Sequence, residues 1–153
     1  MTDIDFNKPL PPELPVVAGT YEAEDCESRT NGVPQYIADM PNASHGRIRV
    51  FEARGEGDFI EHDLRVPSAG EFDLALLVRT SPEGGLAKLS LNGNVIVEEI
   101  DLYSSRPDFK VVDCGELTFG TAGLLELRLT STGKHHRSHG YRIELDAIQL
   151  KAK

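Results

Sequence analysis

Between Tyr21 and Glu27 the chain reads YEAEDCE, and four carboxylates, Glu22, Glu24, Asp25 and Glu27, fall within six residues. Glu22 and Glu24 lie two apart on an expected strand and so project from one face. Side-by-side carboxylates repel unless water or a cation separates them. Two readings follow: a solvated edge, or part of the shell of a calcium ion, which takes about six to eight oxygens. A glycosidase acid pair is poorly served by neighbours at i and i+2, because its carboxyls flank a bound sugar roughly 5–10 Å apart.

A second group lies in GKHHRSHGY, where His135, His136 and His139 precede the last expected strand. The spacing allows a shared transition metal. It equally allows a polar loop in solvent, or a rim whose imidazoles and Arg137 donate hydrogen bonds to a ligand. Ser138 beside His139 is no triad, since nothing resembles a nucleophile elbow. A third group, DLYSSRPDF from Asp101 to Phe109, joins two strands. Tyr103 and Phe109 offer flat apolar faces, and Arg106, Asp101 and Asp108 offer polar partners. Sugar recognition uses that mixture of ring stacking and directed hydrogen bonds. A loop whose aromatics cap the end of a sandwich uses it too.

The elements that must hold these groups are strands. The 153 residues, 39% of them hydrophobic, suffice for one domain with a core. A net charge of −9 argues against nucleic acid and against anionic membrane as partners, since such surfaces need clustered Lys and Arg. No run approaches the roughly 18 apolar residues of a spanning helix. The start MTDIDFNKPL lacks the basic region and apolar stretch of a signal peptide, so export of the chain as written is not expected; a mature piece of a secreted protein is the other reading. Cys26 and Cys114 have no metal-ligand spacing and read as two buried thiols or one bridge. The prolines of NKPLPPELPVV mark 1–18 as an N-terminal arm or linker, with the folded module over 19–153.

Beyond Gly19, short alternating segments recur between Gly, Pro, Asn and Ser punctuation, the pattern of an all-β sandwich of eight or nine strands, a jelly roll. Phe72, Leu74, Leu76 and Val78 share one face, as do Leu125, Leu127 and Leu129. Asn92-Gly93 predicts a tight hairpin. Ile60, Leu64 and Val66 share a face with His62, which reads as a hydrogen-bonded interior histidine rather than a ligand. In YRIELDAIQLK, Ile143 and Leu145 have one parity and Ile148 and Leu150 the other, which predicts a bulge near Asp146-Ala147.

Together YEAED, GDFIEHDLRVPSAGEFDLALLVRT, LSLNGNVI and LDAIQL, in this order over residues 19–150, resemble the β-sandwich carbohydrate-binding modules of families 6 and 35 that are appended to polysaccharide-active enzymes. The resemblance implies a non-catalytic accessory module, extracellular or periplasmic, that binds carbohydrate and serves a linked catalytic domain. It implies a structural calcium ion (Ca2+) held by Glu22, Glu24 and Asp146. It also implies a sugar cleft in the loops carrying Tyr103, Arg106, His135, His136, His139 and Tyr141. The chain departs from the family in having no Trp for a binding platform. The alternative function is a structural or oligomerisation sandwich whose loops contact protein.

Overall fold

The computed structural model describes residues 2–4, 19–23, 26–66 and 68–152. Twelve strands are assigned: β1 Thr2–Ile4, β2 Gly19–Glu22, β3 Glu27–Thr30, β4 Gln35–Asp39, β5 Arg47–Phe51, β6 Phe59–Val66, β7 Gly70–Thr80, β8 Leu86–Leu91, β9 Asn94–Asp101, β10 Asp108–Phe119, β11 Gly123–Gly133 and β12 Ile143–Ala152. They exceed the expected eight or nine because the N-terminal part contributes several strands of three to five residues. One sheet has the order β1-β10-β7-β12-β5-β4, with β2 also on β12; the other is β3-β6-β11-β8-β9. The pairings are antiparallel except β1 on β10. The fold is an all-β, two-sheet sandwich.

Period-two alternation builds the core. Leu74, Leu76 and Val78 of β7 and Ile148 and Leu150 of β12 face Ile60 and Leu64 of β6, Leu89 and Leu91 of β8, and Leu125, Leu127 and Leu129 of β11, all buried. Each such side chain contributes about 1.5–3 kcal/mol through removal from water. No Trp is needed, since Phe51 and Phe119 fill the widest positions. The Asn92-Gly93 turn has positive φ at both residues, 47° and 88°, as a tight primed turn requires.

The phase break in the last strand is a bulge: Leu145 pairs with Val78 and Ala147 with Leu77, so Asp146 is extra. At that residue β12 also changes partner on its other edge, from β5 over Ile143–Leu145 to β2 over Ala147–Leu150. A partner change leaves a notch, and Asp146 sits in it.

Cys26 and Cys114 are separate buried thiols. His62 is fully buried among the inward residues, but the expected hydrogen bond is missing: neither ring nitrogen has a partner among the described residues. Along β6 it lies between Ile60 and Leu64, and across the sheet it is opposite Leu127 and Ser28, whose hydroxyl donates instead to Gln35 Oε1 at 2.9 Å. Burial, reinforced by the charge of Arg49, pushes its pKa down to about 3.

Candidate functional site: the loop end and the strand notch

Three connections meet at one end of the sandwich. The 81–85 segment is the wedge between the other two. Ser81 N–H donates to Leu102 O and Ser104 N–H to Ser81 O, fastening the β9–β10 connection. On the other side Gly85 N–H donates to Arg142 O, Arg142 N–H to Glu83 O and His139 N–H to Pro82 O. The buried Ser138 hydroxyl lies 2.7 Å from Gly84 O and 2.9 Å from Gly140 O. The packing admits only glycine at two points. A Cβ on Gly84 would stand 1.8 Å from Leu102 O, and one on Gly85 would stand 2.8 Å from Tyr141 Cα.

This wedge brings Tyr103 and His135 together. Their rings are stacked at 4.9 Å with 5° between planes, and His136 continues the column at 4.3 Å from His135. The Arg137 N–H donates to His135 Nδ1 at 3.2 Å, which holds the imidazole against its own loop. Tyr141 is apart from the column, with the Lys134 ammonium 5.5 Å from its ring centroid. Arg106 and His139 are exposed on the same two loops. The histidines do not converge on a point as metal ligands would, because His135 and His136 lie face to face.

The β11–β12 connection differs in charge from the rest of the chain, whereas the other two connections carry Glu83, Asp101 and Asp108. Residues 134–142 carry Lys134, Arg137, Arg142 and three histidines and no acid, in a chain of net charge −9. Arg142 is neutralised by Glu83 and Glu52. Arg106 and Arg137 are exposed on the same two loops as the ring column, and the Lys134 ammonium donates to Ser138 O at 3.3 Å beside the Tyr141 ring. Flat rings beside charged donors can hold a sugar by its C–H face and its oxygens.

The notch on the other sheet gathers part of the expected metal set. Ser44 lies in a single turn of 3-10 helix, Ser44–Gly46. Its N–H donates to Asp146 Oδ2 at 2.9 Å and its hydroxyl to Glu22 Oε2 at 3.1 Å. Both carboxylates are buried, Asp146 2% and Glu22 7% exposed. Glu24 lies outside the described residues, and β2 ends at Glu22, so the strand alternation that aligned the two glutamates stops short of it. Sequence reasoning missed Ser44; a small polar residue in a turn carries no signal of a partner 102 positions away.

It also missed an acidic triad on the outer face of the five-stranded sheet. Glu61, Asp63 and Glu126 have carboxylate oxygens within 4.8 Å of one another, close enough to hold a metal ion. The Arg29 guanidinium stands among them, bonding Asp63 at 2.8 Å, Glu126 at 2.6 Å and also Glu61. Arg128 Nε bonds Glu61 at 2.7 Å. The hydrogen bond that Arg29 donates to Asp63 raises its pKa, against a lowering by burial, and the three acidic charges add to the rise. Arginine supplies the positive charge there. The available signal was the outward parity of Glu61 and Asp63 on either side of His62.

No described protein family and no curated protein matches the sequence. Solved structures do. The chain is similar to part of a Paenibacillus xanthan lyase, with 27% identity over 94% of this chain and a TM-score of 0.83, and it spans 14% of that lyase's length. It is similar to a Podospora anserina GH26-CBM35 β-(1,4)-mannanase, 18% identical over 88% of this chain and 27% of that one, TM-score 0.60. A family 35 carbohydrate-binding module from Clostridium thermocellum aligns over 88% of this chain and 97% of its own, at 17% identity and TM-score 0.57. The chain is a β-sandwich with the fold of the family 35 carbohydrate-binding modules.

Proposed function

We propose that this chain is a non-catalytic carbohydrate-binding module, that its glycan sits at the loop end, and that it holds a linked polysaccharide-active enzyme at its substrate. The observation carrying this reading is the Tyr103–His135–His136 column, with Arg106, Lys134 and Arg137 exposed on the same two loops. An aromatic column fastened by a hydrogen-bonded wedge is pre-organised, so little ordering entropy is lost when a sugar ring stacks on it. Lys134 and Arg137 on the β11–β12 connection favour a glycan bearing carboxylates, and Asp101 and Asp108 on the β9–β10 connection oppose it. Tethering raises the effective concentration of the linked enzyme at the polymer without new chemistry. Similarity to parts of a lyase and a mannanase supports such a linkage, and with it an extracellular or periplasmic setting.

A structural calcium ion belongs to the same reading. Glu22 and Asp146 are both buried and both accept hydrogen bonds from Ser44, so their carboxylates converge on one notch. Hard carboxylate and hydroxyl oxygens are the donors calcium takes. Glu22 and Asp146 would hold the ion, with Glu24 as the third acid. Its role would be to neutralise the notch and pin β2 to β12.

The test is a glycan array probed in calcium buffer with the wild-type chain and with Tyr103→Ala. Binding to an acidic glycan that is lost in Tyr103→Ala supports the reading. Absence of binding to every glycan favours the structural or oligomerisation alternative.

A further inference from the structure

We propose that the free edge of β10 is a homodimer interface, where a second copy of this chain pairs its own β10 antiparallel about a two-fold axis at Val111. The interface uses strand residues away from the loop-end rings, so it stands or falls separately from the glycan reading. A strand with one side unpaired offers a row of N–H and C=O groups to any other strand, and proteins guard such edges by shortness, charge or proline. Three of the bounding strands are guarded in this way. β3 has four residues; β4 exposes Tyr36 and Ile37 but has five residues, bracketed by Pro34 and Pro41; β9 carries the exposed pair Glu98 and Glu99.

The edge of β10 lacks those guards over half its length. The strand has twelve residues, β1 covers only 117–119, and among the described residues no strand lies on that side of 108–116. A bulge between Asp113 and Gly115 ends the regular ladder, which leaves 108–113 as a straight, open segment. Within it Val111 is 63% exposed, the most exposed large apolar side chain among the described residues. Its row across the outer face is apolar throughout: Val111 lies opposite Leu77 of β7, and Leu77 opposite Ala147 of β12.

Self-complementarity names the occupant. Opposed residues of an antiparallel pair share a face, and two copies of one strand satisfy this only when the two-fold axis passes through a residue rather than between two. An axis at Lys110 sets like charges opposite each other, which is destabilising. An axis at Val112 sets Val111 against Asp113 of the second copy. An axis at Val111 sets that valine against its own copy, so the row Ala147, Leu77, Val111 runs on into the same three residues reversed, and 109–113 of each copy pair within the straight segment. β10 starts at the loop end, so antiparallel pairing sends the two loop ends opposite ways. On the loop-end reading, one dimer then joins two glycan chains.

The experiment is sedimentation equilibrium of the whole chain from about 10 μM to about 1 mM, at low and at high salt. A monomer–dimer equilibrium is expected, and salt should tighten it by screening the repulsion between two copies of net charge −9. Val111→Lys, at an exposed position, should weaken the dimer about tenfold or more. Ile37→Lys, on the β4 edge, should leave it unchanged. Val111→Cys should form a disulfide-linked dimer on mild oxidation, since opposed Cα atoms lie about 4.5–5.5 Å apart, within disulfide reach, and Cys26 and Cys114 are buried. A monomer at every concentration overturns the proposal and leaves the edge to a strand of another protein. A dimer that survives Val111→Lys, or that Ile37→Lys dissolves, overturns it as well.

Discussion

The Tyr103 ring lies parallel to the His135 imidazole, 5° between planes and 4.9 Å between centroids, although 32 residues separate them in the chain. The stack joins the β9–β10 connection to the β11–β12 connection. His135 and His136 already stack within the β11–β12 loop, and Tyr103 from the other loop extends them to three rings. Tyr103→Ala is expected to weaken glycan binding by about tenfold or more, while Tyr103→Phe, which keeps the ring, stays within about twofold. Calorimetric titration against the best array hit checks both. Equal binding by Tyr103→Ala would remove the column from the site.

Much of this was legible from side-chain parity. Inward Leu74, Leu76 and Val78, the Asn92-Gly93 turn and the bulge at Asp146 each follow from the two-residue strand period, a local property of the chain. The contacts that make the site are not local. Ser44 reaches Glu22 and Asp146, and Gly84 presses on Leu102, because the sheet order places them there, and sheet order is set by the whole core. His62 shows the opposite failure. Its parity was right, but chemistry suggested a hydrogen-bond partner, and the polar side chain opposite it, Ser28, bonds Gln35 instead.

Calcium is expected to raise the melting temperature, because an ion bound only by the folded state stabilises it by mass action. At a concentration about one hundred times its dissociation constant the gain is about 2.7 kcal/mol. For a domain of this size that corresponds to roughly 5–10 °C. Asp146→Asn, similar in shape but uncharged, should abolish the rise. Differential scanning calorimetry with calcium and with chelator decides it; an unchanged transition sinks the metal assignment.

Gly84→Ala is expected to cost about 3 kcal/mol or more, the upper range for an overpacked site. The new Cβ would lie 1.8 Å from Leu102 O, and backbone cannot rotate out of the way as a side-chain tip can. Leu102 precedes Tyr103, so the wedge moves the ring column as it opens. The expected result is a melting temperature lower by roughly 6–12 °C, with glycan binding weakened in the fraction that stays folded. Wild-type stability in Gly84→Ala would mean that the wedge is loose.

The buried His62 makes stability depend on pH, and the direction follows from its displaced pKa. In the folded state the pKa is about 3, lowered first by burial and then by the charge of Arg49; unfolded, it returns to 6.5. Between those values the unfolded chain binds a proton that the folded chain refuses, so stability rises with pH across the window and is lost as pH falls through 6.5. From pH 7 to pH 5 this one residue removes about 2 kcal/mol. His62→Leu should erase that slope. At pH 7 the same substitution removes two buried nitrogens without partners, and replacing such groups by apolar ones is neutral to stabilising. Urea unfolding of wild type and His62→Leu at pH 5 and pH 7 separates the effects. If the two proteins lose stability equally on acidification, the acid sensitivity belongs to carboxylates elsewhere, and His62 has found a partner that keeps its pKa near the ordinary value.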